Sequence, residues 1–143
     1  MTLLKDKLEN KSLDLAFESI YSCFGYIDHI SDKIHKLTVL YNTGITDTAN
    51  NSFLQIIESM DLYIQLITNI YQVLRSELKV VNFKDENIQK LEIHLLSIMR
   101  AILQAKEKED VVMLCDLLEY ELIDNLVQWK IKVLPELKKL KSF

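Results

Sequence analysis

Apolar side chains recur at the spacing of an α-helix through nearly the whole chain. Four stretches, at about residues 12–41, 47–78, 85–105 and 110–140, place an apolar residue at every third or fourth position. In the second stretch, steps of four and three alternate without a miss, which is typical of helices that cross at about 20°. The seam of this stretch comprises Phe53, Ile57, Met60, Ile64, Ile67, Tyr71, Leu74 and Leu78. The pattern predicts four amphipathic helices.

Capping and turn residues indicate where these helices begin and end. The hydroxyl of Ser12 suits an N-cap, so we expect residues 3–8 to form an extra turn or a separate short helix before it. Gly44 suits the left-handed position that closes the first helix. Pro135 should kink the fourth helix or end it one turn early. Gly25, inside the first helix, indicates a close helix crossing.

Chain length and composition fit one domain spanning residues 1–143. A chain of this length buries roughly 68–70% of its unfolded surface and needs neither a disulfide nor a metal to hold its core. Because the connections are short, consecutive helices should be antiparallel neighbours. The predicted fold is therefore an all-α, antiparallel, up-down-up-down four-helix bundle.

The balance of charge argues against two classes of partner. A net charge of −4 provides no general attraction for nucleic acid or for anionic lipid. The most apolar window, residues 53–74, cannot be a membrane span because a polar stripe crosses it. The stripe comprises Gln55, Glu58, Asp61, Gln65, Asn69 and Gln72. The amino terminus does not read as a signal peptide, and Cys23 and Cys115 are expected to be reduced thiols, so we predict a cytoplasmic protein.

Charge is distributed unevenly along the last helix. Residues 107–124 hold seven acids and one lysine, whereas five lysines and one acid follow from Lys130 onward. The simplest interpretation is that the charges complement the helix dipole, which favours acids at the start and lysines at the end. The alternative is a metal or cationic-ligand site followed by a basic docking tail.

The fourth helix also carries a wider apolar arc than the stripe of about 100° that a surface helix needs. We interpret the excess as an interface, in the first instance between two copies of the chain, with Tyr120 and Trp129 as the main contacts. The alternatives are that residues 3–8 cover this arc or that another protein does. The candidate interface comprises Leu117, Tyr120, Ile123, Val127 and Trp129.

A few polar residues fall within or beside the apolar arcs. Glu92 and Glu119 must be paired, hydrogen-bonded or protonated there. If short turns align the helices, Arg75 lies at the level of Glu92 and Tyr21 at the level of Glu119, which predicts an ion pair and a hydrogen bond. His35 is a further candidate for a buried polar group. The alternative is that Glu92 and Glu119 bind a small ligand or a metal in the bundle core.

Known catalytic patterns of helical proteins do not fit. No histidine follows a glutamate at the spacing that di-iron bundles use. Glu121 and Asp124 match half of the magnesium-binding pattern of all-α nucleotide pyrophosphatases, but Glu107–Asp110, the nearest candidate for the other half, has the wrong last residue. We therefore predict no catalytic residue, no cofactor and no metal, and keep pyrophosphatase activity as the least favoured alternative.

The segment from Asp110 to Trp129 resembles the C-terminal helix of small uncharacterised helical proteins from Gram-positive bacteria. That resemblance implies a bacterial protein and brings no activity with it. In size and helical plan the chain is also similar to flagellar export chaperones, which cradle the terminal helix of an unfolded subunit. We expect a non-catalytic bundle that acts through helix-to-helix contact, with an export-chaperone-like binder as the alternative.

Overall fold

The computed structural model describes the backbone of residues 2–78 and 86–142 and the side chains of residues 11–78 and 86–141. These residues form four helices, and no β-strand occurs among them. The all-α bundle is thus confirmed. The helices are α1 (Thr2–Asn42), α2 (Thr46–Leu78), α3 (Glu86–Glu107) and α4 (residues 111–142).

The first helix, α1, begins earlier than predicted. It is continuous from Thr2, so Ser12 lies inside it and does not cap it, and no separate short helix precedes it. The reason is local, because residues 2–12 contain neither glycine nor proline and are rich in the good helix formers leucine, lysine and glutamate. The prediction that residues 3–8 cover α4 concerns side chains outside the described residues.

The turn between α1 and α2 follows the prediction for Gly44. Its φ of 79° is left-handed, and the amide of Ile45 donates to the carbonyl oxygen of Leu40 at 2.9 Å. This bond pattern closes a helix and satisfies a terminal carbonyl group. Across the turn, the Tyr41 hydroxyl donates to the Asn50 side chain at 2.8 Å. The two helices then run antiparallel.

Polar contacts along the boundary between α1 and α4 show that these helices are antiparallel as well. Lys130 donates to Asp28 at 2.6 Å, and the Lys138 ammonium lies 4.7 Å from the centre of the Tyr21 ring. Residue numbers rise along one helix as they fall along the other, so the end of α4 packs beside the early part of α1. The up-down-up-down order follows from this register.

The remaining boundary, between α2 and α3, is more open. Lys106 lies over the Phe53 ring at 5.8 Å, but among the described residues the two backbones approach closely at few points. The interior behind this opening is filled from α4, where Trp129 packs edge-on against Tyr63 of α2 with ring centroids 6.0 Å apart and planes at 90°. A groove between α2 and α3 therefore leads towards the centre of the core.

The buried face of α2 is rotated from the predicted seam. Ile56, Tyr63 and Ile70 are buried, whereas Ile57 and Ile64 are only half-buried. The reason is tertiary: α2 packs closely along α1 and much less closely along α3, so its most buried line turns towards α1. Positions that would be central in an evenly packed bundle border the open groove instead.

Pro135 does not end α4 early, so that part of the prediction is wrong, whereas the alternative of a kink stays a prediction. The helix continues to Lys139, and the missing proline N–H is accommodated by a preceding π-helical stretch in which the Leu134 amide donates to the Trp129 carbonyl five residues back. A second π-helical stretch lies earlier in α4. The segments of α4 are Val111–Asp116 (α), Leu117–Leu122 (π), Ile123–Gln128 (α), Trp129–Val133 (π), Leu134–Lys139 (α) and Leu140–Ser142 (3₁₀).

None of the helices, as far as they are described, combines the length and the apolar character that a bilayer crossing requires.

Gly25 does not mark a close helix crossing, because a Cβ built at this position meets no atom within 4 Å. We expect Gly25→Ala to raise the free energy of unfolding by about 0.5–1 kcal/mol, since alanine has the higher helix propensity. Urea unfolding followed by circular dichroism measures this change. Gly44→Ala is the matched control and should lower stability, because φ at Gly44 is 79°. A destabilised Gly25→Ala protein would contradict the open position seen here.

Candidate functional site

A cavity of about 270 Å³ opens between α2, α3 and α4 at the groove. Its floor is aromatic, with Trp129 of α4 and Tyr63 of α2 in contact. The backbones of α2 and α3 are separated here, so side chains alone must fill the space between them. The cavity is the part of that space that they leave empty. The complete lining is Tyr63, Ile64, Ile67, Thr68, Tyr71, Gln72, Arg75, Glu92, Leu95, Leu96 and Trp129.

Two polar atoms of this floor lack a partner. Trp129 and Tyr63 are each 1% exposed, and neither the Trp129 Nε1–H nor the Tyr63 hydroxyl has a hydrogen-bond partner among the described residues. Buried polar groups in folded proteins are nearly always bonded, and a buried one left without a partner costs roughly 1–3 kcal/mol. These two groups therefore lower the stability of the core as it stands.

The cavity also brings together the predicted pair Arg75 and Glu92. Both side chains line it, Glu92 half-buried and Arg75 exposed, so Arg75 is not the buried group that was predicted. Glu92 acts on the neighbouring Tyr71, whose pKa is raised by burial first and then by the charge of Glu92 and a hydrogen bond to it. Burial likewise raises the pKa of Tyr63.

Glu119 lies elsewhere, at the boundary between α4 and α1. Its Oε1 accepts from the Thr38 hydroxyl at 2.7 Å and lies 3.3 Å from His35 Nδ1. The bond from Thr38 is the main cause that lowers the pKa of Glu119, His35 adds a hydrogen bond and a charge, and partial burial opposes both. The predicted bond to Tyr21 is wrong, because the antiparallel register places Tyr21 beside Lys138 near the other end of α4. His35 is exposed rather than buried.

The carboxylates of Glu92 and Glu119 thus lie in separate parts of the bundle, and they do not form a shared ligand pocket. Within the parts of the chain that the structure describes, no group of three or more histidine, cysteine or acidic side chains is placed to hold a metal ion. The residues of the magnesium-type pattern have structural contacts: Asp110 caps α4 by accepting from the Met113 amide at 3.1 Å, and Glu121 lies 3.7 Å from His94.

The predicted interface of α4 divides into exposed, half-buried and buried residues. Tyr120 is 70% exposed, and Leu117, Ile123 and Val127 are half-buried. The prediction that Trp129 belongs to the interface is wrong, because Trp129 lies in the core against Tyr63 and contributes nothing to the outer surface. The wide apolar arc therefore has two parts, of which one packs inside the bundle and the other faces solvent.

Sequence reasoning missed Asn125, which is buried in α4. Its side-chain amide donates to the Leu91 carbonyl at 3.2 Å and lies 3.4 Å from His94 Nδ1. This contact joins α4 to α3 and fixes their antiparallel register. A signal existed, because Asn125 stands in step with the core residues Leu118, Leu122 and Trp129.

Both cysteines are free, as expected. Cys23 is fully buried, and burial raises its pKa to about 12. Cys115 is half-buried, and burial together with the nearby charges of Glu119 and Asp116 raises its pKa. Neither thiol has the depressed pKa of a reactive nucleophile.

Comparison with known proteins leaves the activity open. Neither a curated protein nor a solved structure matches the chain. A family described as a domain of unknown function, DUF8042, matches residues 18–132, which covers all of α2 and α3 and most of α1 and α4. The chain therefore belongs to the DUF8042 family of domains of unknown function.

Proposed function

We propose that this chain is a non-catalytic binding protein that acts through helix-to-helix contact and pairs with a second copy of itself through the outer face of α4. The observation that carries this proposal is an apolar stripe on α4 that is exposed beside the other described helical residues. Met113, Tyr120 and Ile131 are 50%, 70% and 62% exposed, and Leu117 and Val127 between them are half-buried. Exposed apolar side chains that share one side of a helix are typical of an interaction site.

The stripe is complementary to itself when two copies run antiparallel. Met113 and Ile131 are equidistant from Leu122 along the chain, and so are Leu117 and Val127. A two-fold axis at the level of Leu122 therefore packs Met113 against Ile131 of the other copy and Leu117 against its Val127. Such isologous pairing of one patch with itself is the commonest form of protein dimer.

The charges of α4 favour the antiparallel orientation. The start of the helix is acidic and its end is basic, so antiparallel copies place the acids of the first turns along the lysines of the last turns, while Glu119, Glu121 and Asp124 lie near the axis. In this register Lys132 of one copy lies one turn from Asp116 of the other, within reach of an ion pair. A parallel arrangement would instead oppose acid to acid and lysine to lysine, so electrostatics selects one geometry.

The oligomeric state tests the proposal directly. Light scattering after size exclusion should give twice the 16.8 kDa chain mass. Tyr120→Glu should raise the dissociation constant at least about 30-fold, because a charge replaces the most exposed contact at the centre of the interface.

Leu62→Glu is the matched control, since Leu62 is a 53% exposed residue of α2 away from the stripe. We expect it to leave the dimer intact. A monomeric wild-type protein at about 100 μM would overturn the proposal, since a specific interface of this kind should be formed well below that concentration. Equal weakening by both variants would overturn it as well.

A further inference from the structure

We propose that the cavity between α2, α3 and α4 binds a small, uncharged aromatic molecule that carries one hydrogen-bond acceptor. This inference is independent of the pairing through α4, because Tyr120 and Met113 do not line the cavity. It rests on the two unsatisfied polar groups of the cavity floor, on the size and character of the space, and on the charges around it.

The floor presents two polar groups that have no hydrogen-bond partner among the described residues. An indole N–H can only donate, and the Trp129 Nε1–H has no partner among the described residues. The Tyr63 hydroxyl, which can donate as well, is also without one there. A ligand oxygen that accepts from either group would remove the cost of leaving a buried donor unbonded. Since both residues are 1% exposed, they form part of a fixed floor and not of a mobile surface.

The space suits a ring of modest size. An engineered apolar cavity of about 150 Å³ in another protein accepts benzene, and the volume here is about 270 Å³. Most of the lining is apolar or aromatic, with Ile64 and Leu95 among it. A substituted benzene ring or a small bicyclic ring therefore matches both the volume and the surface.

The charges around the cavity disfavour an ionic ligand. Glu92 and Arg75 both line it, one carboxylate and one guanidinium group, so the lining carries no net charge. Any ion would meet one like charge beside one opposite charge, and it would lose hydration in a mostly apolar space. An uncharged ligand avoids both penalties.

Entry is from the groove, where Thr68 and Leu96 are exposed parts of the lining. The Trp129 Nε1 and Tyr63 hydroxyl atoms have almost no water-accessible surface. A bound acceptor must therefore displace a neighbouring side chain at the floor before it reaches them. Because α2 and α3 already stand apart, we expect a change of side-chain rotamer to be enough.

The chain holds one tryptophan, so its indole N–H gives one resonance in a ¹⁵N-correlated NMR spectrum and reports on the floor directly. We choose acetophenone as the probe and 2-phenylpropene, which has a CH₂ in place of the carbonyl oxygen, as its match. Acetophenone should move the indole resonance downfield in a saturable manner. The alkene should bind at least about tenfold more weakly and cause no downfield shift, because it offers no acceptor.

Two neighbouring exposed positions on α2 supply matched variants. Thr68→Tyr places a ring at the cavity mouth and should abolish acetophenone binding, whereas Asn69→Tyr lies outside the lining and should preserve it. Equal binding by the two variants would overturn the proposal, and so would equal binding of the two probes. An indole resonance that acetophenone leaves unchanged would overturn it too. The oligomeric state should not respond to the probe, which separates this test from that of the interface.

Discussion

Replacing Trp129 by alanine should lower the free energy of unfolding by about 3–5 kcal/mol, the range typical for deleting a large aromatic side chain from a core. Trp129 is among the largest fully buried side chains, and it packs edge-on against Tyr63 at the centre of the bundle. The alanine variant would join the space it leaves to the existing cavity of about 270 Å³. We expect the backbones of α2 and α3 not to move together and fill that space, because they are already separated around the existing cavity.

Chemical unfolding followed by far-ultraviolet circular dichroism measures this loss, since the variant no longer contains a tryptophan. The Tyr120→Glu background keeps the unfolding unimolecular, as dimerisation would otherwise add to apparent stability. Trp129→Phe is the control and should cost much less than Trp129→Ala, because it keeps a ring and removes the unbonded N–H. A loss below about 1 kcal/mol for Trp129→Ala would place the indole outside the core.

Ile56→Ala should destabilise the protein by about 2–5 kcal/mol, at least twice the cost of Ile57→Ala. The two residues are chain neighbours of identical composition, so helix propensity and the unfolded state affect both variants alike. They differ in burial: Ile56 is fully buried on the line that faces α1, and Ile57 is half-buried beside the groove. The comparison therefore measures which way α2 is turned.

The hydrophobic pattern alone makes the opposite prediction, because it places Ile57 in the seam and leaves Ile56 out of it. Equal losses for the two variants would mean that α2 packs evenly on both sides and that the groove is closed in solution. A larger loss for Ile57→Ala would overturn the observed rotation of α2. Either result would also remove the basis for the cavity, since Ile64 lies two turns further along the same side as Ile57.

The long last helix organises both proposed sites. Its inner side places Trp129 at the cavity floor and Asn125 against α3, and its outer side carries Tyr120. Two π-helical stretches lie within it, at Leu117–Leu122 and Trp129–Val133. Each adds a residue to a turn and so turns the side chains that follow relative to a regular α-helix. The side chains of the inner face and those of the outer face therefore come from one helix of irregular geometry.

Local patterns in the sequence determined the number of helices, most of their ends and the closing turn at Gly44. These features depend on short-range physics: apolar spacing, the conformational freedom of glycine and the shortness of the connections. The presence of Arg75 and Glu92 in one cavity lining was also predictable, because it follows from antiparallel neighbours joined end to end, and the ion pair between them stays a prediction.

Only the tertiary structure decided how each helix is rotated about its axis and which residues meet across the bundle. The burial of Trp129, the contact of Glu119 with Thr38 and the partial exposure of Ile57 all depend on the uneven spacing of the helices. The helical period shows that the apolar residues share one side of a helix. It does not fix which of them lies at the centre of the buried face, because the period is the same when the helix is rotated about its axis. The choice among rotations depends on how side chains from distant parts of the chain fill a common volume, and no local pattern records it.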